Sequence, residues 1–186
     1  MEDFHSKSLP GSNRERKTWW HRLLWDLITS IVPALLIALF VNVFIAQAAE
    51  IESGPSMQPN LYAGYRMMTE KISYYFCEPE RGDIVIVGQP DGPNLVKRVI
   101  GLPGEVIESN EGHTFINGEA LDEPWVSFFG GHYYPPTQIP DGYIFIIGDN
   151  RPASHDSRAI GPVPIEAIQG RVILIYWPLS EFEIIP

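Results

Sequence analysis

The hydropathy pattern of this chain changes from one long apolar run to short alternating segments. Between Leu27 and Ala49 there are 23 residues without a charged side chain. As a helix, that segment spans roughly 35 Å, which is enough to cross the hydrocarbon core of a bilayer. The pattern therefore predicts a membrane helix over residues 23–49, a tail over residues 1–22 and a separate domain over residues 50–186.

After residue 50 the apolar positions alternate with polar ones, which is the period of a β-strand. Six predicted strands are YRMMTEK (65–71), DIVIVG (83–88), NLVKRVIG (94–101), EVIE (105–108), GYIFIIG (142–148) and GRVILIYW (170–177). Asn117-Gly118 predicts a tight hairpin turn. Residues 124–142 are predicted to form an irregular aromatic loop, and VPIEAIQG one helical turn. The expected fold class is mainly β, with residues 108–141 as a small variable subdomain.

Charged residues flank the apolar run asymmetrically. Arg14, Arg16, Lys17 and Arg22 precede it, and Glu50 and Glu52 follow it. The positive-inside rule then puts the N-terminus in the cytoplasm and the domain outside. The alternative is a cleaved secretory signal, because AQA at 46–48 resembles a cleavage site. A signal core usually has only about 7–15 apolar residues, so a retained single-pass anchor is favoured.

Composition excludes some classes of function. The net charge is −10, which argues against nucleic acid as a partner because phosphate binding needs clustered Lys and Arg. Cys77 is the single cysteine, so the chain forms no internal disulfide. The 17 prolines and 16 glycines suit short strands joined by turns.

Ser56 follows the apolar run on a Gly-Pro turn, and a serine nucleophile needs a base. The histidines are His5, His21, His113, His132 and His155. His155 adjoins Asp156, but neighbours along a strand point to opposite faces and do not form a triad by themselves. No HExxH, CxxC or GxSxG motif occurs, so a zinc hydrolase and an α/β-hydrolase lack support.

Lysine is the remaining base. Burial disfavours its charged form and can bring its pKa near neutrality. Lys97 shares one face of its strand with Leu95 and Val99, whereas Lys71 has polar neighbours. The alternative is an edge-strand lysine that reaches water, and the alternation does not decide which face of the strand is drier.

Four segments, in order, resemble the motifs of type I signal peptidases: SMQPNL (56–61), RGDIVIV (81–87), KRVIGLPGE (97–105) and GDNRPASHDSR (148–158). They follow a single predicted membrane span, as in that family. The resemblance implies a signal-peptidase-like, β-rich catalytic domain in a compact form. It also implies a serine endopeptidase that uses a Ser-Lys dyad, with no metal or cofactor.

The resemblance assigns roles to individual positions. Ser56 matches the nucleophile, and its backbone N–H would donate to the oxyanion; Lys97 matches the general base. Ser154 matches the serine that orients the lysine amine, and Met57 a residue that shapes the substrate cleft. The remaining matched positions lie in loops. Asp156 and Arg158 match a pair that braces the loop of Ser154, and the alternative for them is an ordinary surface ion pair. A turn near Lys97 is shaped by Gly148, Asp149 and Asn150.

Two positions depart from the family pattern. Some members have a serine two residues before the nucleophile, which completes the oxyanion hole, and here that position is Gly54. Ser53 is one place further back and is not assumed to substitute for it. Asn60 stands where the family often has threonine, which we expect to affect turn geometry more than chemistry.

The expected function is removal of signal peptides from exported preproteins at the outer surface of the cytoplasmic membrane. Preproteins and membrane lipid are the expected partners, and the aromatic residues of 124–142 either rest on lipid or pack a local core. Three alternatives stay open: a specialised relative that processes one substrate such as a pilin precursor, a self-cleaving repressor, which would carry a DNA-binding domain, and a non-catalytic anchored β-domain. A further hypothesis is that the enzyme cuts its own chain after Ala48.

Overall fold

The computed structural model describes residues 13–40, 46–51, 54–89, 92–131 and 133–185. Contacts between residues divide the chain into two units, Met1–Val43 and Phe44–Pro186. Some of the predictions above concern residues outside the described ones. These are residues 1–12 of the tail, residues 41–45 of the predicted membrane helix, Glu52, Ser53 and His132.

The first unit contains helix α1, Asn13–Phe40, with Pro33 inside it. Its segment Trp19–Phe40 is long and apolar enough to cross a membrane, judged by length and composition. Every side chain of this segment is exposed within the unit. A long helix whose apolar side chains are exposed on all sides within its own unit is typical of one that has lipid as its surroundings.

Among its described residues, the second unit contains twelve strands and two short α-helices, α2 (Ser73–Phe76) and α3 (Ser157–Ile160). The strands are β1 (Ala46–Glu50), β2 (Arg66–Glu70), β3 (Ile84–Val87), β4 (Leu95–Gly101), β5 (Val106–Asn110), β6 (His113–Ile116), β7 (Glu119–Ala120), β8 (Tyr134–Gln138), β9 (Tyr143–Ile147), β10 (Val163–Pro164), β11 (Ile168–Trp177) and β12 (Glu183–Ile184).

The strands form two sheets, and all the pairs described are antiparallel. The larger sheet has the order β1-β2-β11-β3-β4-β9-β10, with β12 also paired to β11. The smaller sheet has the order β7-β6-β5-β8. The expected fold class, mainly β with one N-terminal apolar helix, is confirmed.

Strand β4 lies inside the larger sheet and carries Lys97. On one side it pairs with β3, where Lys97 lies opposite Val85. On the other side its pairing with β9 begins only at Arg98, opposite Ile147. Residues 95–97 therefore have one backbone edge without a strand partner among the described residues.

Three clusters of buried apolar side chains form the core. One contains Met57 and Leu61 beside Met67, Ile84 and other residues of the larger sheet. A second is made by Val85, Val87, Val99, Ile144, Ile146 and Val163. A third joins both sheets through Ile100, Ile107, Ile139, Phe145 and Ile147. The first cluster fixes the turn that carries Ser56, because its neighbour Met57 is only 3% exposed.

Six predicted strands and the Asn117-Gly118 hairpin are confirmed, with boundaries that differ by one or two residues. The predicted helical turn within VPIEAIQG corresponds to a 3-10 turn at Ile165–Ala167. The expectation of an irregular loop over residues 124–142 is wrong in part, because β8 lies within it. β8 pairs with β5 at the end of the smaller sheet, a position that tolerates its two prolines.

The predicted helix over residues 23–49 also differs from the structure. Residues 46–49 belong to β1, which pairs with β2 from Ala46–Glu70 to Glu50–Arg66. The backbone polar groups of this segment are thus satisfied by a partner strand distant in sequence. An apolar and small-residue run gives no local indication of such pairing.

Candidate active site

The turn that carries Ser56 is anchored by the buried residues that follow it. Met57 and Leu61 are buried in the core, and the Leu61 N–H donates to the Met57 carbonyl at 2.9 Å. Gly54, which precedes the turn, has φ of +96°, a conformation that favours glycine over any other residue. Ser56 itself is only partly buried, so its hydroxyl is anchored and still accessible.

Lys97 reaches this turn from β4. Its Nζ donates to Ser56 Oγ at 2.9 Å and to the Val96 carbonyl at 3.0 Å. The lysine is 3% exposed, and burial lowers its pKa to about 8, although the Asp156 and Asp149 carboxylates act in the opposite direction. The alternative of an edge lysine in water is therefore wrong, and a pKa of about 8 leaves about one tenth of the amine neutral at pH 7.

Both faces of β4 are buried at Lys97 and Arg98, a question that the alternation of the sequence did not decide. Lys97 is buried on one face, and Arg98, which is 9% exposed, is buried on the other. Arg98 forms a two-point ion pair with Asp149, with Nε to Oδ1 at 2.9 Å and Nη2 to Oδ2 at 2.7 Å. The guanidinium also lies over the Trp125 ring, 4.8 Å from its centre.

Gly148 lets the catalytic loop candidate, residues 148–158, approach Ser56 closely. A Cβ at position 148 would collide with the Ser154 hydroxyl and with the Ser56 carbonyl oxygen. That carbonyl accepts a hydrogen bond from the Asn150 N–H at 2.9 Å. The loop and the turn of Ser56 are thus in direct backbone contact, as expected for a site built from both.

Asp156 and Arg158 form a buried pair rather than a surface one. Their side chains are 0% and 4% exposed, with Arg158 Nη2 2.8 Å from Asp156 Oδ2. Asp156 also accepts from the Gly148 N–H at 3.1 Å, and Arg158 donates to the Arg151 carbonyl at 2.7 Å. Burial alone would raise the pKa of Asp156, but the hydrogen bonds and charge of Arg158 outweigh it and lower that pKa.

The hydroxyl of Ser154 is buried beside Gly148 and the Ser56 carbonyl. It forms no hydrogen bond of standard geometry with any described group, although it contributes to the lowered pKa of Asp156. The contact with the Lys97 amine that the resemblance implies is not among the described hydrogen bonds of Lys97. The predicted orienting role of Ser154 therefore stays a prediction.

Sequence reasoning missed the contribution of Asn60. Its Nδ2 donates to Asp149 Oδ2 at 2.7 Å and to the Trp125 carbonyl at 2.8 Å. Asn60 thereby joins the turn of Ser56 to the Arg98–Asp149 pair. These partners lie 65 and 89 residues away in sequence, so only the departure from the family pattern at this position drew attention to it.

A second buried ion pair, also missed, joins the smaller sheet to the same loop. Arg151 Nη2 lies 2.5 Å from Glu123 Oε1, and the two side chains are 1% and 4% exposed. Arg151 Nη1 donates to Thr114 Oγ1 at 2.9 Å and to the Gly112 carbonyl at 2.8 Å. Arg151, which lies within the loop of Ser154, is thus fixed to the β5–β6 hairpin.

A cavity of about 580 Å³ lies over this arrangement, and both Ser56 and Lys97 line it. Ala49, Glu50 and Ile51 line it from β1 and the residue after it, and Asn94, Leu95 and Val96 line it from β4 and the residue before it. Ala153 and His155 contribute from the loop of Ser154. Of the other histidines, His113 stacks on Phe129 in the smaller sheet, with ring centres 4.7 Å apart, and does not line this cavity.

Comparison with known proteins agrees with this geometry. Residues 24–177 match the family described as signal peptidase, peptidase S26. The chain belongs to this signal peptidase family. The predicted resemblance is thereby confirmed, and the chain is an enzyme of the serine peptidase class, so the non-catalytic anchored β-domain is not favoured.

Individual signal peptidases align over most of the chain. A probable signal peptidase I-2 from Synechocystis is 36% identical over 161 residues, covering 83% of this chain and 73% of that protein. A signal peptidase I from Bacillus licheniformis is 32% identical over 181 residues, covering 90% and 96% respectively. A crystal structure of a signal peptidase I from Enterococcus faecalis V583 is 31% identical, covers 51% of this chain and 97% of that chain, and has a TM-score of 0.46.

Proposed function

We propose that the chain is a membrane-anchored serine endopeptidase that removes signal peptides from exported preproteins, with Ser56 as nucleophile and Lys97 as general base. One observation carries the assignment of these residues. The Lys97 amine is buried and lies 2.9 Å from the Ser56 hydroxyl oxygen. A buried amine can activate a serine, and among the described residues Lys97 is the side chain that hydrogen-bonds to Ser56 Oγ.

The reaction follows from this contact. Neutral Lys97 accepts the Ser56 proton as Oγ attacks the scissile carbonyl carbon, and the carbonyl oxygen becomes an oxyanion. Collapse breaks the C–N bond, and the lysine ammonium gives the proton to the leaving amine. Water then attacks the acyl-serine, with Lys97 again accepting a proton and returning it to Ser56 Oγ.

The backbone N–H of Ser56 is the proposed oxyanion donor, and it donates to no group among the described residues. Gly54 has no hydroxyl to add, and its φ of +96° would strain a serine at that position. A second donor, if one acts, is therefore a backbone N–H or a water molecule rather than the side chain at position 54. Loss of one oxyanion donor costs about 100- to 1000-fold in kcat in a serine protease of another fold.

The cavity suits an extended peptide with small side chains. Residues 95–97 of β4 have a free backbone edge toward it, which offers the substrate strand hydrogen bonds. Apolar side chains form much of the lining: Ala49, Ile51, Met57, Leu61, Ile86 and Val96. Shallow apolar subsites of this kind accept alanine and reject larger residues, which is the physical sense of an A-x-A cleavage site.

We further propose that α1 is a retained single-pass anchor in the cytoplasmic membrane, with the N-terminus inside and the catalytic domain outside. Support comes from the basic residues before the anchor and the acidic ones after it. Lipid contact by the aromatic region is proposed for Phe128, Phe129 and Tyr133, which are about half exposed. Trp125 and Tyr134 pack instead against the third core cluster.

Cleavage of a preprotein by the full-length enzyme in detergent tests the assignment. Ser56→Ala and Lys97→Ala are each expected to reduce cleavage to background while thermal unfolding stays cooperative. Lys71→Ala is the matched control, because Lys71, which directly follows β2, does not line the cavity. Full activity in either the Ser56 or the Lys97 variant would refute the proposed roles.

A further inference from the structure

His155 is the one residue of the 148–158 loop whose charged or polar side chain is exposed in the cavity. The residues on both sides of it are fixed, since Ser154 is wedged beside Gly148 and Asp156 is completely buried. His155 itself is exposed, lines the cavity and forms no described hydrogen bond. Its exposed imidazole, in a residue that lines the cavity, is therefore available for a ligand.

The cavity lining divides by chemistry and by element. The apolar residues come from β1, β3, β4 and the turn after Ser56, and they fit the small residues that precede a cleavage site. Ala153 and His155 come from a different element, the loop that meets the Ser56 carbonyl across Gly148. A peptide whose small residues occupy the apolar lining thus continues, beyond the scissile bond, toward His155.

Few carboxylates among the described residues compete with a ligand for His155. Of the described residues that line the cavity, only Glu50 on β1 carries a carboxylate, and the Asp156 carboxylate is bound by Arg158 and the Gly148 N–H. We propose that His155 contacts the first two residues of the mature protein and favours an acidic side chain there. This inference rests on the proposed function, because it assigns specificity to the same site.

Paired peptides test the inference at one fixed pH. Each pair is identical up to the cleavage site and carries Asp or its neutral isostere Asn at the first or second position after it. The readout is the ratio of kcat/KM for the Asp peptide to that for the Asn peptide, measured with full-length enzyme in detergent. Salt at about 0.15 M screens the long-range field of the acidic protein, so that the ratio reports local contacts.

The wild-type ratio is expected to be about threefold at one of the two positions, the size of a partly exposed polar contact. His155→Gln should bring that ratio to about one, and His155→Glu should bring it below one. His113→Gln is the matched control, since His113 lies outside the cavity, and it should keep the wild-type ratio. A substitution at position 155 that changed only the stability of the enzyme would change kcat/KM by the same factor for both peptides, so their ratio would stay the same.

Two results would overturn the inference and leave the proposed function standing. One is a wild-type ratio of one at both positions, and the other is the same ratio in wild type and His155→Gln. A failure of the wild-type enzyme to cleave any peptide, while it also fails on a preprotein, would count against the proposed function itself. The two failures are therefore distinguishable in one set of assays.

Discussion

At the scale of single residues, the position of one amine has a direct consequence for pH dependence. Lys97 must lose its proton to act as a base, and burial brings its pKa to about 8 from an ordinary 10.5. We expect kcat/KM to fall about tenfold for each pH unit below 8 and to level off above it. The sign follows from the base being the neutral form, which is depleted as pH falls.

The measurement is a pH–rate profile with a peptide substrate that has no titratable group near its cleavage site. The ionisable groups that line the cavity with Lys97 are Glu50 and His155, so profiles of Glu50→Gln and His155→Gln serve as controls. The fall in kcat/KM below about pH 8 should persist in both variants. A profile that is flat between about pH 6 and 9 would contradict the assignment of Lys97 as base.

Residue-level chemistry was largely accessible from sequence, whereas the contacts that support it were not. Alternation identified a lysine between apolar neighbours, and the family motifs paired it with Ser56. Asn60 gave no comparable signal, because its role depends on Asp149 and the Trp125 carbonyl, which approach it only in the folded sheet. Hydrogen bonds between side chains of segments that are distant in sequence leave no local sequence pattern from which they could be predicted.

At the scale of elements, the ion pair of Arg151 and Glu123 connects the smaller sheet to the loop of Ser154. Both side chains are almost fully buried, so removing one partner leaves an unpaired buried charge, which costs about 3–5 kcal/mol. Arg151→Met should therefore lower the free energy of unfolding by about that amount. The double variant Arg151→Met/Glu123→Leu should recover part of the loss, because no buried charge remains.

Denaturant unfolding of the full-length chain in detergent, followed by tryptophan fluorescence, measures both variants. Arg66→Met is the matched control, since the Arg66–Glu50 pair is about half exposed and is expected to contribute below about 1 kcal/mol. Equal destabilisation by Arg151→Met and Arg66→Met would show that the buried pair contributes no more to the free energy of unfolding than the exposed pair does. Greater loss in the double variant than in Arg151→Met alone would also contradict the argument.

Element boundaries show where sequence patterns stop being informative. The central strands β3, β4, β9 and β11 are predictable because short runs rich in β-branched and aromatic residues, bounded by Gly, Pro, Asp or Asn, mark them. β1 was read as the end of the helix, since AQAAE carries no alternation and its pairing with β2 is a long-range contact. β8 was missed because Pro135 and Pro136 argue against a strand, except at a sheet edge.

At the scale of the whole molecule, the enzyme carries a sequence of the type it is proposed to cut. AQA at residues 46–48 resembles a cleavage site, but Ala48 is paired with Met68 in β1. The next residues, Ala49 to Ile51, line the cavity of the same domain. This segment is part of the wall of its own active site, so it cannot also occupy that site as an extended substrate.

Cutting after Ala48 therefore requires a second enzyme molecule and the separation of β1 from β2. We expect self-cleavage to be slow in the native state and its initial rate to rise with the square of enzyme concentration. Tagged full-length Ser56→Ala protein, which has the same fold but no nucleophile, is mixed with untagged wild type, and the tagged chain is followed by intact mass. It should lose residues 1–48 at a rate proportional to the wild-type concentration, and it should stay intact alone. Cleavage of wild type at a fractional rate independent of concentration would instead mean that β1 leaves the sheet and reaches Ser56 of its own chain.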